Sequence, residues 1–422
     1  MRIVNIFYPV LILMLFLGSC NQMSPYVGYQ PMEMPQMSPP REPEAPSEDK
    51  IKVALLLPLS GTHKELGTAL LNAATLSLFD NDHKKEIELV IFDSKGTPFG
   101  AKDAIKDIIL EDIKVIIGPV FSSSTEAIAE IVKNNNMTVL SFSNNMDLIE
   151  KQGIFLMGLS FEQQIEKIVD FALEKGKNNF SVIAPNNQYG LTISNILKQT
   201  VKNKDGNFIT SQLYINTGSN LDSAVKRLVN SYIVSQSAYE NLEENVDRSE
   251  VIIDQEHKIY SDTILIAESG EALSKIAEKI KEYNTEERRF QIIGTSGWDK
   301  PSTVDDPNLQ GGWFAGPDSR PYQKFENHYY QLYGQLPPRI SSIAYDAVYV
   351  TTSLINQNKS KRSKDEILTS EDLIYYQKGF QGMDGLFRFL PNGAVERNLS
   401  VLEVDQHQFN VIEEADNRFL KY

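Results

Sequence analysis

KVALLL at Lys52–Leu57, followed at once by Pro58-Leu59-Ser60-Gly61, decides the fold. A short, nearly unbroken apolar run closed by a proline–glycine turn is the pattern of a strand buried on both faces of a parallel sheet. Beyond the turn, Leu66, Leu70, Ala73, Ala74 and Leu78 recur at helical spacing up to Phe79. Glu88–Phe92 (ELVIF) reads as a second strand, and the next helix runs through Ala101, Ile105 and Ile109. A third strand, Val115–Ile117, ends in Gly118-Pro119; a helix over Thr125–Lys133 and a strand over Thr138–Phe142 follow. Strands alternating with helices at this spacing are βαβ units with right-handed crossovers and a parallel sheet.

The alternation then restarts. Ile165–Leu173 is helical, Phe180–Ala184 is a strand, and a helix follows Tyr189-Gly190 and ends near Gly206. Strand Phe208–Ile215, helix Leu221–Ile233, strand Thr263–Ala267, helix Ala272–Tyr283 and strand Phe290–Ile293 complete the block. Two such blocks in tandem predict an α/β protein of two Rossmann-like lobes. Ser235–Asp262, rich in Glu, Asp and Asn, reads as a solvated insertion in the second block, with an interaction arm as the alternative. The C-terminal part is less regular. Tyr322–Tyr333 and Ser342–Leu354 read as helices separated by Pro337-Pro338. Leu386–Leu390 and Ser400–Val404 read as strands joined around Pro391-Asn392-Gly393, and Gln408–Ile412 as one more.

The N-terminus carries an address. Arg2 precedes an apolar run from Val10 to Leu17, then Gly18-Ser19-Cys20. The run is far short of the roughly 20 residues that span a bilayer, so it reads as a cleaved signal over 1–19. Cys20 is the single cysteine, so no internal disulfide is available. Its setting resembles a bacterial lipoprotein signal, which implies lipidation at Cys20; the alternative is an ordinary secretory signal. Residues 20–50 are broken by Pro25, Pro31, Pro35, Pro39, Pro40, Pro43 and Pro46. They form a tether reaching on the order of 90 Å at about 3.1 Å per residue. Four methionines within it admit a metal-binding tract as the sharper alternative.

The remaining stretch of roughly 370 residues suits about two domains. A net charge of −15 argues against nucleic acid and against electrostatic docking on anionic lipid. With no second long apolar run, the lipid would be an anchor and not a span.

Six stretches occur in an order that resembles the type I periplasmic-binding-protein family of leucine/isoleucine/valine-binding proteins. They are LLLPLSG at Leu55–Gly61, IIGPVFSSSTEA at Ile116–Ala127, VLSFSNN at Val139–Asn145, QYG at Gln188–Gly190, AYDAV at Ala344–Val348 and the long run at Gly379–Val404. GTSGWD at Gly294–Asp299, GGWFAGPD at Gly311–Asp318 and YGQLPPR at Tyr333–Arg339 resemble more closely the lipoproteins known as penicillin-binding-protein activators. The resemblance implies parallel-sheet lobes built from discontinuous chain and joined by a three-crossing hinge. It assigns 51–158 plus 298–359 to lobe 1, and 159–297 plus 360–422 to lobe 2, with a ligand in the cleft between them.

Gly118–Thr125 leaves the carboxyl end of a strand and enters a helix, the place where open α/β sheets bind ligands. Hydroxyls and free amides at a helix start suit a carboxylate or another anion; the alternative is a run of N-capping serines. The resemblance puts Ser122, with Ser123 beside it, where relatives hold the ligand carboxylate. It puts Ser143 and Asn145 at a second set of polar contacts and Tyr189 where it closes over the ligand. Relatives grip a ligand ammonium with an acid and an aromatic; the matching positions here are Ser296 and Ser269. Serine does not offset the desolvation of a buried cation as a carboxylate does, so a free amino acid is a poor fit. Glu268 is the adjacent substitute, and Trp298 either lines the cleft or packs at the hinge.

Catalysis and cofactors are not expected. His63, His83, His257, His328 and His407 are scattered, with no pair at metal-ligand spacing, and HExxH, Walker A and GxSxG patterns are missing. SxxK occurs at Ser47 and Ser223 without SDN or KTG companions. The expected function is therefore a non-enzymatic envelope lipoprotein that regulates or activates a penicillin-binding protein in peptidoglycan synthesis. The alternative is a substrate-binding lipoprotein of an ABC importer, with a permease as partner and an amino acid or related small anion as ligand. Asn21 after the cysteine favours the outer membrane.

Overall fold

The computed structural model describes residues 50–419 apart from 216, 236–256, 287 and 364–365. The signal, Cys20 and all of the tether but Lys50 lie outside the described residues, as does most of the polar insertion.

The first sheet holds β1 (Ile51–Leu57), β2 (Ile87–Asp93), β3 (Val115–Ile117), β4 (Thr138–Ser141) and β5 (Ile154–Leu156) in the order β2-β1-β3-β4-β5. Every pairing is parallel. Consecutive side chains of a strand point to opposite faces, and β1 uses both. Val53, Leu55 and Leu57 enter one core with Leu70 and Ala73 of α1 (Lys64–Asn81). Ala54 and Leu56 enter the other with Ile105 and Ile108 of α2 (Pro98–Leu110) and Ile128 of α3 (Ser122–Asn134). Val53–Leu57 is apolar throughout because no face of it meets water.

The second sheet has the order β17-β16-β12-β11-β10-β6-β7. β6 (Asn179–Pro185), β7 (Asn207–Tyr214), β10 (Thr263–Ile266), β11 (Gln291–Gly294) and β12 (Trp313–Gly316) run parallel. β16 (Ser400–Asp405) and β17 (Gln408–Glu413) add an antiparallel edge. Helices α4 (Phe161–Glu174), α5 (Gln188–Asn203), α6 (Leu221–Asn230), α7 (Gly270–Lys281) and α8 (Pro301–Val304) complete this lobe. The insertion is entered and left through a two-stranded ribbon, β8 (Tyr232–Val234) against β9 (Lys258–Tyr260), which the sequence pattern did not predict.

The chain then returns to the first lobe. α9 (Ser319–Tyr333) and α10 (Ser341–Asn358) place Tyr322, Phe325, Tyr329, Ala344 and Val348 in the core beneath β1, and α11 (Ser370–Tyr375) adds Leu373. β13 (Phe380–Gly382), β14 (Gly385–Phe389) and β15 (Val395–Arg397) form a small antiparallel sheet whose Phe380, Phe387, Phe389 and Val395 join that same core. Among the described residues no helix is long and apolar enough to cross a membrane.

The chain passes between the lobes three times, at 157–159, 317–318 and 398–399, which makes the expected hinge. The lobes divide differently from the boundaries 51–158 plus 298–359 and 159–297 plus 360–422. β12 belongs to the second sheet, because it finds backbone partners on both sides, in β11 and β16. Residues 380–397 belong to the first lobe, because their aromatic face is buried there and Gly393 accepts from Leu156 N at 2.8 Å. Accordingly the Pro391-Asn392-Gly393 turn joins β14 to β15 and not to Ser400–Val404, which pairs across the molecule with β12.

Candidate functional site

β3 delivers the chain to Gly118, which has φ +94°; a side chain there would strike the Leu56 carbonyl. Glycine is required for the backbone to pass β1 this closely. Ser122 and Ser123 open α3, the first half-buried and the second exposed, and neither hydroxyl has a partner among the described residues. Below them Thr125 and Ser141 are buried and share a hydrogen bond of 2.7 Å between their hydroxyls, which ties the start of α3 to the end of β4. The two other lobe 1 candidates are already engaged. The Ser143 hydroxyl accepts Asn145 N at 3.1 Å, and Asn145 Oδ1 accepts Asp147 N at 3.1 Å, capping a short turn. Nearby, Asp93 accepts the amides of Leu59 and Lys95 at 2.9 and 2.8 Å. Against the opposing pull of burial, hydrogen bonds from Ser60, Lys95 and Leu59 hold its carboxyl below the ordinary range.

In the second lobe, Asn187 caps α5 by accepting Gly190 N at 3.0 Å. A Cβ at Gly190 would run into the Pro185 carbonyl, so only glycine lets α5 start this close to β6. The Tyr189 ring lies edge-on to Phe161 at 5.4 Å, and its hydroxyl meets Thr295. Burial raises that phenol's pKa. Tyr189 thus rests on its own lobe. The Glu268 carboxylate is taken by the Tyr214 hydroxyl, and burial together with this bond holds the phenol firmly protonated. Ser269 Oγ accepts Lys300 Nζ at 3.0 Å. Ser296 N donates to Gln164 Oε1 at 2.7 Å, and Gln164 Nε2 donates to the Ser160 carbonyl at 3.0 Å. Trp298 does not line the gap. It is fully buried in the second core, its ring over Gly294, where any side chain would displace it.

Contacts at the first crossing bring the two walls together. Gly158 N donates to the Ser143 carbonyl at 3.2 Å, while α4, which begins just beyond, holds the end of β11 through Gln164 and Ser296. The carboxyl ends of both sheets therefore meet at the hinge. A cavity of about 180 Å³ lies there, walled by Met157, Leu159, Ile340 and Ile343 and edged by Ser296, Asp299 and Arg339.

The pattern reading missed the charged groups beneath this cavity. Arg339, ahead of α10, donates through Nε to Asp299 of the second lobe at 2.9 Å and through Nη1 to Asp384 of the first at 2.6 Å. Its guanidinium lies 4.0 Å from the centre of the Tyr322 ring. Asp384 also accepts the Ser342 hydroxyl at 2.7 Å. Burial opposes its charge, but Arg339 and Arg397 keep its pKa below the usual carboxylate range. Arg397 donates to the Asp384 carbonyl at 3.0 Å and approaches the fully buried Asp346 at 3.7 Å. Burial pushes Asp346 up to about 7, against the pull of Arg397. Arg397 N in turn donates to Gln163 of α4 at 2.9 Å, so this network touches both lobes. Asp299, Arg339, Asp346, Asp384 and Arg397 lie inside GTSGWD, YGQLPPR, AYDAV and the run Gly379–Val404, but nothing in their spacing pairs them.

A profile described as periplasmic binding protein matches residues 50–408. The chain belongs to the periplasmic binding protein family. That membership places its folded part outside the cytoplasm and gives it a ligand-binding fold. An uncharacterised protein of Rickettsia prowazekii is 22% identical over 245 residues, which span 58% of this chain and 60% of that protein. A branched-chain amino acid ABC transporter protein from Rhodospirillum rubrum has a TM-score of 0.71 at 17% identity, covering 86% of this chain and all of that one. A branched-chain amino acid transporter substrate-binding protein from Streptococcus pneumoniae, solved with isoleucine, scores 0.58 at 15% identity over 86% and 100%. A solute-binding protein from Rhodopseudomonas palustris, solved with benzoate, scores 0.59 at 16% identity over 86% and 96%. At these identities such periplasmic binding proteins share the fold with this chain and define no ligand for it.

Proposed function

We propose that this periplasmic binding protein is a non-enzymatic envelope lipoprotein. It is anchored through Cys20, with the outer membrane favoured, and regulates a penicillin-binding protein. The observation that carries the reading is that the polar groups at the ammonium-gripping end of the cleft are spent inside the protein. Glu268 is held by Tyr214, Ser269 by Lys300 and the Ser296 amide by Gln164. A zwitterionic amino acid entering there would lose the hydration of its ammonium and find the neighbouring acid, Glu268, already bonded to Tyr214, a cost of several kcal/mol. The proline-rich tether supports action on a partner at a distance from the membrane.

A second reading, an importer's receptor for a small anion, draws support from the unpartnered Ser122 and Ser123 hydroxyls at the start of α3 and from the cavity at the hinge. Calorimetry of the mature protein against amino acids and small carboxylates, alongside cross-linking and co-purification of a peptidoglycan synthase, separates the two. Micromolar amino-acid binding without synthase capture overturns the regulator.

A further inference from the structure

We infer that a crevice on the second lobe, at the end of the sheet away from the interlobe gap, binds a small organic anion: a phosphate or carboxylate carried on a ring or short apolar chain. The crevice measures about 490 Å³, within the usual range for ligand sites. It opens where β11 begins at Gln291, a strand's length from Ser296.

Its charge is one-sided. Lys177, Lys281 and Arg289 line it, and among the described residues no aspartate or glutamate does, in a chain whose net charge is −15. Several nearby acids are engaged elsewhere. Asp262 accepts Asn178 N, both nitrogens of Asn179 and the Thr263 hydroxyl, at 2.7–3.3 Å. Asp306 accepts Asn308 N at 2.8 Å. On α7, Ala277, Ile280 and Lys281 share the face toward the crevice, with Asn284 in the turn just beyond, while Glu278 and Glu282 act on Lys279, which pairs with Asp222. Lys177 and Arg289 have no partner among the described residues, and Lys281 makes one bond, to the Pro307 carbonyl at 3.3 Å.

The rest of the lining is polar and mixed: Gln291 and Gln310 turn their amide N–H groups onto the Gly311, Val304 and Asp306 carbonyls. Asn284 Oδ1 accepts Phe290 N at 3.1 Å, so its amide N–H groups are the unspent end of that side chain. The last carbonyls of α7 are covered, since Ile280 O and Lys281 O accept Tyr283 N and Asn284 N. Beneath the cations the floor is apolar, with Ile280, Phe290 and Pro307. Cations above a hydrocarbon floor match an anion joined to an apolar body better than a bare inorganic ion, because the body removes apolar surface from water while the charge stays at the rim.

The test is calorimetry of the mature protein with phenyl phosphate and inorganic phosphate. Phenyl phosphate is expected to bind at least tenfold more tightly than inorganic phosphate and to weaken several-fold between 50 and 500 mM salt. Lys177→Glu with Arg289→Glu, neither of them in the buried core, is expected to lose at least tenfold in affinity. Lys84→Glu with Lys102→Glu, the same charge change on the other lobe, is expected to lose less than threefold. Failure of phenyl phosphate to bind at millimolar concentration, equal affinity for the two phosphates, or equal losses in the two double variants would overturn the inference.

Discussion

Replacing Arg339 with Met tests whether the two lobes are stitched through one side chain. Methionine keeps much of the aliphatic stem that packs on Tyr322 and removes the guanidinium that spans Asp299 and Asp384. Stranding one member of a buried pair costs about 3–5 kcal/mol, whereas an exposed pair is worth about 0–1 kcal/mol. The Asp384 side chain is 8% exposed and so belongs near the first limit, although it keeps the Ser342 hydroxyl. Arg339 is 29% exposed, so solvent screening lowers the total. The expected loss for Arg339→Met is about 3 kcal/mol. In a double-mutant cycle with Asp299→Asn, about 1 kcal/mol of it should appear as interlobe coupling. The assay is urea unfolding followed by two probes. Both tryptophans, Trp298 and Trp313, lie in the second lobe, so their fluorescence reports that lobe, while far-ultraviolet circular dichroism reports both. The wild type should show coincident transitions, and Arg339→Met should separate them, the second lobe unfolding on its own. A loss below about 0.5 kcal/mol, with coincident transitions in the variant, would refute the reasoning.

Four further outcomes follow from the same packing. Asp346, with its pKa raised to about 7, keeps its proton in the native state between about pH 4, where the unfolded carboxyl releases it, and pH 7. Its ionisation therefore costs stability as pH rises through that window and no more above it. Urea midpoints of wild type and Asp346→Asn should move apart in the wild type's disfavour from pH 4.5 to 7.5, and parallel curves would sink the claim. Asp384, with its pKa lowered, contributes in the opposite sense, and its stabilisation is lost only below about pH 4. Gly190→Ala should destabilise by about 2 kcal/mol or more, because the new methyl meets the Pro185 backbone and not a movable side chain; an unchanged urea midpoint contradicts this. Trp298→Ala should cost about 3–5 kcal/mol through the void it leaves beside Gly294 and Phe314, which denaturation followed by circular dichroism measures directly.

Much of the fold was legible because its signals are local. The apolar runs at Lys52–Leu57, Val115–Ile117, Phe180–Ala184 and Thr263–Ala267 coincide with strands, since a strand covered on both faces has no polar side to show. β5 and β12 escaped notice, as did the ribbon at the base of the insertion. The serine-rich start of α3 was legible as a polar strand end. What else each candidate residue bonds to was not, because Glu268 finds Tyr214, and Ser296 finds Gln164, only after distant segments have packed.

The sequence by itself determined two βα blocks, their parallel strands and the polar loops at the strand ends, because backbone and side-chain periodicity are set by neighbours a few residues away. The tertiary structure alone decided which lobe owns β12 and residues 380–397, and it alone assembled Arg339, Asp299, Asp384, Asp346 and Arg397 beneath the hinge cavity. Those groups lie some forty positions or more apart along most of their pairings, at 40 for Arg339–Asp299 and 45 for Arg339–Asp384. No local pattern encodes such a meeting; the charges pair only where burial of the two cores and three chain crossings brings them out of water together.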